Sequence, residues 1–184
     1  MTALDYDLEF LEDGRTIELI SIGMVRDDGA EYYAVNRDMP VRKIRKHKWL
    51  MDNVVPHLPK GQGDRRNHVP QRWLFDYADP VVKRHDRIAD DVMDFIRGAG
   101  SDVELWANYG AYDHVALAQL WGRMIDLPEG VPMFTNDIQQ ELRRLGFASD
   151  QLPAQEGAVH NALADARHNQ TVRRWLAEQE TRTP

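Results

Sequence analysis

The chain has 184 residues, 42% hydrophobic and 29% charged, the size and composition of one soluble globular domain (1–184) with room for a proper core. It contains no cysteine, which excludes disulfides and thiolate metal sites and leaves carboxylates and imidazoles as metal ligands. Lysine and arginine number 23 against 30 aspartates and glutamates, and a net charge of −7 argues against a protein that coats long nucleic acid. No run approaches the roughly 18 apolar residues of a membrane span, and the acidic start Met1-Thr2-Ala3-Leu4-Asp5 lacks a basic signal region, so a cytoplasmic protein with no membrane partner is expected.

Thr2 to Phe10 reads as a first strand, followed by a turn at Glu12-Asp13-Gly14. Side chains alternate along a strand, so Asp7 and Glu9 project from one face roughly 6.5–7 Å apart, close enough to share a cation. Leu4, Tyr6, Leu8 and Phe10 take the other face. Asp5 has the same parity as Asp7, so alternation alone leaves Asp5-x-Asp7 open as the ligand pair. Glu18 to Val25 is a second strand, Asp27-Asp28-Gly29 a hairpin turn, and Glu31 to Val35 the returning strand of an antiparallel meander. Pro40 can open a helix through about Val55, closed by Pro56. That helix carries Arg42, Lys43, Arg45, Lys46 and Lys48, with Arg65, Arg66 and Arg72 following. Such a run is by default a solvated helix face, with phosphate contact as the alternative. Pro59 to Pro80, with Gly61, Gly63 and Pro70, is the least regular stretch, so an irregular arm over about 40–80 is inserted in the domain.

A helix from about Pro80 to Arg97 ends at Gly98-Ala99-Gly100, and Val103 to Ala107 is a fourth strand leading into a helix that carries Asp113. Strand, helix, strand, helix argues for a parallel addition to the meander. Pro132-Met133-Phe134 reads as a fifth short strand, Asp137 to Leu145 as a helix, and Asn161 to about Glu178 as the last helix. At about 100° per residue Asp113 shares a face with Ala116, Leu117, Leu120 and Met124, and Asp165 one with Ala162, Ala166, Val172 and Leu176. Carboxylates on such inward faces are costly unless a cation or hydrogen-bond donors compensate. Each also lies near its helix start, where negative charge is favoured, so N-terminal capping is the ordinary alternative. His160 lies about 140° around an ideal helix from Asp165, which assigns it to the loop leading in, behind Gly157-Ala158-Val159.

The order Asp7-x-Glu9, then Tyr112-Asp113 opening an apolar helix, then His160 five residues before Asp165 resembles the DEDDh (DnaQ-like) family of 3′-to-5′ exonucleases over nearly the whole chain. The resemblance favours Asp7 and Glu9 as the first pair. It implies an α/β, ribonuclease H-like fold with a mixed central sheet of about five strands flanked by helices. It also implies two Mg2+ ions per active site, with Mn2+ able to substitute. Asp7, Glu9 and Asp165 would hold the ion that activates water, and Asp7 with Asp113 the ion near the leaving oxygen. His160 would be the general base, taking a proton from the attacking water.

Tyr109 stands where many members have asparagine, and Phe10-Leu11 where a threonine pair is common. These residues and Tyr112 are the candidate substrate contacts, the Phe10 ring either stacking on a terminal base or serving as core. Trp106 and Trp121 flank the second motif and Trp49 and Trp73 the arm, as core or interface anchors or as base-stacking platforms. The segments Glu18-Leu19-Ile20-Ser21-Ile22-Gly23, Glu31-Tyr32-Tyr33-Ala34-Val35 and Glu104-Leu105-Trp106-Ala107 through Gly110-Ala111-Tyr112-Asp113-His114-Val115-Ala116-Leu117 are similar to the small polyadenylate-specific 3′-exoribonuclease AS group. That similarity implies adenosine-rich RNA 3′ ends as substrate, nucleoside 5′-monophosphates as products and a homodimer. A DNA exonuclease of the same fold and a non-catalytic nucleic-acid-binding module are the other readings.

Overall fold

A computed structural model describes residues 1–61 and 73–182; Gly63, Arg65, Arg66, Pro70 and Arg72 lie outside them. Among the described residues the strands form one sheet in the order β4-β3-β2-β1-β5-β6. β1 (Thr2–Glu12), β2 (Ile17–Arg26) and β3 (Glu31–Asn36) are the antiparallel meander. β5 (Val103–Ala107) adds in parallel to β1, β6 (Asn136–Asp137) to β5, and β4 (Val82–Lys83) to β3, so β2 alone runs against the rest. This is a mixed, helix-flanked sheet of the kind expected, with six strands where about five were expected.

The alternation in β1 sorts its two faces. Leu4, Tyr6 and Leu8 point into a core closed by Ile88, Val92 and Ile96 of α3 (His85–Arg97) and Ala116 and Leu117 of α4 (Ala111–Ala118). Against the opposite face lies α6 (Ala162–Arg182), whose Val172 and Leu176 pack with Ile138 and Leu142 of α5 (Ile138–Arg144). Asn169 of α6 donates to the Tyr6 carbonyl at 3.0 Å. A second core gathers Leu11, Ile20 and Val35 of the sheet with Ile44, Leu50, Val54 and Leu58 of the segment after β3.

Four sequence expectations are corrected. The single helix from Pro40 to Val55 is two, α1 (Val41–Ile44) and α2 (Lys48–Asn53), with a 3-10 turn at Val55–His57. Arg42, Arg45 and Lys46 would stand three and four residues apart on one continuous helix, where like charges repel. His47 instead takes an extended conformation and accepts the Leu50 N–H, capping α2. The helix expected from Pro80 starts at His85, because Val82 and Lys83 pair with Val35 and Asn36. Pro132-Met133-Phe134 is not a strand, and Met133 and Phe134 are exposed; Asn136 and Asp137 pair with β5 instead. The helix bearing Asp113 ends at Ala118, which leaves Met124 exposed while Ala116, Leu117 and Leu120 are buried as expected.

Candidate active site

β1 outruns its parallel neighbour: pairing with β5 stops at Asp5, opposite Trp106. Beyond that point the Leu8 N–H has no strand partner on this side and donates instead to Asp113 Oδ1 at 2.9 Å. Asp113 sits in the first turn of α4, which begins over the end of β5. The Asp137 carboxylate joins α4 to α5, accepting the Gly110 N–H at 2.8 Å and the Gln139 N–H at 2.7 Å. A bulge follows Glu9 in the β1–β2 register, a device that re-aims side chains beside functional sites.

From the other side comes the start of α6. A β-carbon at Gly23 would lie 2.3 Å from the Ala162 carbonyl oxygen, so glycine lets the helix start rest directly on β2. Gly23 pairs with Asp7 across the sheet, which sets the first turn of α6, and Asp165 with it, over the first motif. Asn161 caps this turn, its Oδ1 accepting the Ala164 N–H at 3.0 Å. His160 precedes the cap, outside the helix as its spacing predicts, in the left-handed region at φ 65°.

Asp7, Glu9, Asp113, His160 and Asp165 thus line one cleft of about 280 Å³, with Phe10, Asn108, Gln155, His168 and Asn169. Glu9, His160 and Asp165 each bring a ligand atom within 4.8 Å of the others, an oxygen-rich donor set with one imidazole that fits a hard divalent cation. Burial, then the charges of Asp113, Glu9 and Asp165, push the Asp7 carboxyl well above the carboxylate range. Burial with Asp165 and Asp113 lifts Glu9 to about 8. Asp113 is lifted to about 7 by burial against the lowering effect of the Leu8 N–H, with Asp137 and Asp165 adding to the rise. Carboxylates gathered so closely repel one another, which a cation would relieve.

Asp5 is the residue that alternation could not exclude. It is fully buried and held by Arg173, whose Nε and Nη2 donate to its two oxygens at 2.8 Å each. Both of its oxygens are therefore engaged away from the cleft. Of the four candidate substrate contacts, Phe10 lines the cleft and its ring lies 6.4 Å from that of the exposed Tyr112. Tyr109 is exposed at φ 55° and lines a separate groove with Gln139, Gln140 and Arg143. Leu11 is buried in the second core, which leaves it no surface to offer a strand end.

Sequence reasoning missed Gln155, Asn108 and Gly23. Gln155 Nε2 donates to Asp165 Oδ1 at 2.5 Å and to the Ala158 carbonyl at 3.0 Å, tying the loop before His160 to the helix after it. Asn108 Oδ1 accepts from Gln139 Nε2 at 2.8 Å at the cleft wall. Asn108 lies between β5 and Asp113, inside the second motif, and could have been singled out there. A loop glutamine carries no periodic signal.

Residues 65–176 match the model of the 3′-5′ exoribonuclease Rv2179c-like domain, and the chain belongs to this family. Two curated relatives, both named 3′-5′ exoribonuclease and from two strains of Mycobacterium tuberculosis, are each 43% identical over 163 residues, covering 88% of this chain and 85% of theirs. A solved structure of S. pombe Pop2p in its Mg2+- and Mn2+-bound form aligns over 97% of this chain and 82% of its own at 14% identity, with a TM-score of 0.44. Among the described residues no helix is long and apolar enough to cross a membrane.

Proposed function

We propose that this chain is a single-domain, cytoplasmic exoribonuclease that hydrolyses phosphodiester bonds at RNA 3′ ends and releases nucleoside 5′-monophosphates by the DEDDh route. The observation that carries this reading is the convergence of four carboxylates and His160, drawn from β1, α4 and the start of α6, in one cleft. Membership of an exoribonuclease family supports RNA as the polymer. Asp7, Glu9, Asp113 and Asp165 would hold two divalent cations, Mg2+ with Mn2+ as substitute, which would supply charge stabilisation to the attacking and leaving oxygens of an in-line displacement. His160 accepts the proton of the attacking water through Nδ1, the ring nitrogen 4.0 Å from Glu9 Oε1. Phe10 and Tyr112 offer rings to the terminal bases.

Adenosine-rich ends and a homodimer complete the reading. Exposed Met124, Ile125, Met133 and Phe134, all from the stretch 124–134, give a partner subunit apolar surface.

RNA and DNA of one sequence, labelled at the 3′ or the 5′ end and incubated with Mg2+, Mn2+ or chelator beside the Asp7→Ala variant, test it. A chelator-sensitive ladder that starts from the 3′ end of RNA and is lost in the variant is expected. Equal degradation of DNA would transfer the activity to the DNA reading, and indifference to chelator would remove the metals.

A further inference from the structure

The basic segment after β3 has no place in the chemistry above, yet it reaches the cleft. Leu50, Val54 and Val55 anchor α2 in the second core, against Leu11 of β1 and Ile20 of β2. Leu11 lies only two residues beyond Glu9, so α2 is docked on the same strand that carries the first motif. Trp49, beside the anchoring Leu50, is 48% exposed and spends little of its ring on that core. Its indole instead meets the His160 imidazole, with centroids 4.8 Å apart and planes at 75°, an edge-to-face pair.

His160 needs such a neighbour. Its side chain is 37% exposed and its backbone is held at φ 65°, a conformation that costs a non-glycine residue energy and persists only where its surroundings enforce it. On the loop side Gln155 ties the Ala158 carbonyl to Asp165. The aromatic contact comes from Trp49, on an element far away in sequence.

We propose that Trp49 is a positioning residue for His160: the docked α2 helix presents the indole as a stop that holds the imidazole facing Glu9. The inference rests on the assignment of His160 as general base. It gives the inserted segment a part in turnover separate from any part in binding RNA.

Steady-state kinetics of Trp49→Ala, Trp49→Leu and Trp49→Phe, alone and in a His160→Ala background, test it, with melting temperatures measured alongside. Trp49→Ala and Trp49→Leu are expected to lower kcat roughly three- to tenfold with KM little changed, the scale one edge-to-face ring pair can supply. Trp49→Phe keeps a ring edge and restores most of the loss. In the His160→Ala background the same substitutions have no further effect, because the group they position is gone. A rise in KM at constant kcat would make Trp49 a strand contact and overturn the proposal. So would equal losses for Ala, Leu and Phe with matching falls in melting temperature, or losses that persist without His160. If His160→Ala cuts turnover and Trp49→Ala does not, the positioning role alone fails. If His160→Ala is itself silent, the base assignment fails and the positioning role with it.

Discussion

Asp7 faces Asp113, Glu9 and Asp165, and among the described residues nothing donates a hydrogen bond to its carboxylate. The cost of that arrangement depends on pH. In the unfolded chain Glu9 and Asp113 release their protons near 4.5 and 3.8, whereas in the folded protein they do so near 8 and 7. Between those limits the folded state holds the extra protons. Stability from these groups is therefore complete below about pH 4 and is lost as pH rises through about 7 to 8. The melting temperature of chelator-treated protein should fall across this window, and Mg2+ should restore it by an amount that grows with pH. Asp7→Asn should abolish turnover yet raise the melting temperature of the chelated protein at pH 8, by about 2–4 °C for each kcal/mol of repulsion removed. A variant less stable than the parent there would contradict the repulsion. The five cleft residues were singled out by resemblance to the DEDDh motifs, since the strand period left Asp5 open beside Asp7 and the helix faces left capping as the alternative for Asp113 and Asp165. The place of Asp5 was not legible, since its partner Arg173 lies 168 residues away and only the fold brings them together.

The start of α6 depends on a close backbone approach to β2 as well as on its own Asn161 cap. Gly23→Ala would drive a methyl into the Ala162 carbonyl, and overpacking of this kind costs about 1–3 kcal/mol. We expect a lower urea midpoint and a larger proportional loss of activity, since the helix start that shifts is the one bearing Asp165. The Asp5–Arg173 pair holds the same helix farther along. Arg173→Ala should destabilise by about 3–5 kcal/mol by leaving Asp5 buried and unpaired, whereas Asp5→Leu with Arg173→Met should be near neutral. The double variant should keep its melting response to Mg2+, because neither residue belongs to the cleft. Long elements were legible: β5 has the bounds its sequence suggests, and β1, α3, α5 and α6 differ only at their ends. Two-residue strands such as β4 and β6 are too short to show a period, and apolar Met133 and Phe134 resemble a strand although they face solvent.

Across the whole molecule a net charge of −7 coexists with a basic surface on α1 and α2. Parts of that surface are already engaged: Lys43 pairs with Glu18, Lys48 with Asp52, and Arg45 donates to the Trp73 carbonyl. Arg42 and Lys46 are exposed and have no charged partner among the described residues. Neutralising both should reduce the slope of log affinity against log salt for single-stranded RNA by about 0.7 for each phosphate that these side chains neutralise. An unchanged slope would make the run an ordinary solvated face.

Asp7 and Asp165 are separated by nearly the whole length of the chain, yet α6 must lie on β1 before they share a cleft. During synthesis the early carboxylates leave the ribosome long before their last partner exists, and pairings this distant in sequence close late. A nascent chain therefore cannot assemble this site until α6 has emerged, so every shorter translation intermediate carries the first carboxylates without the last.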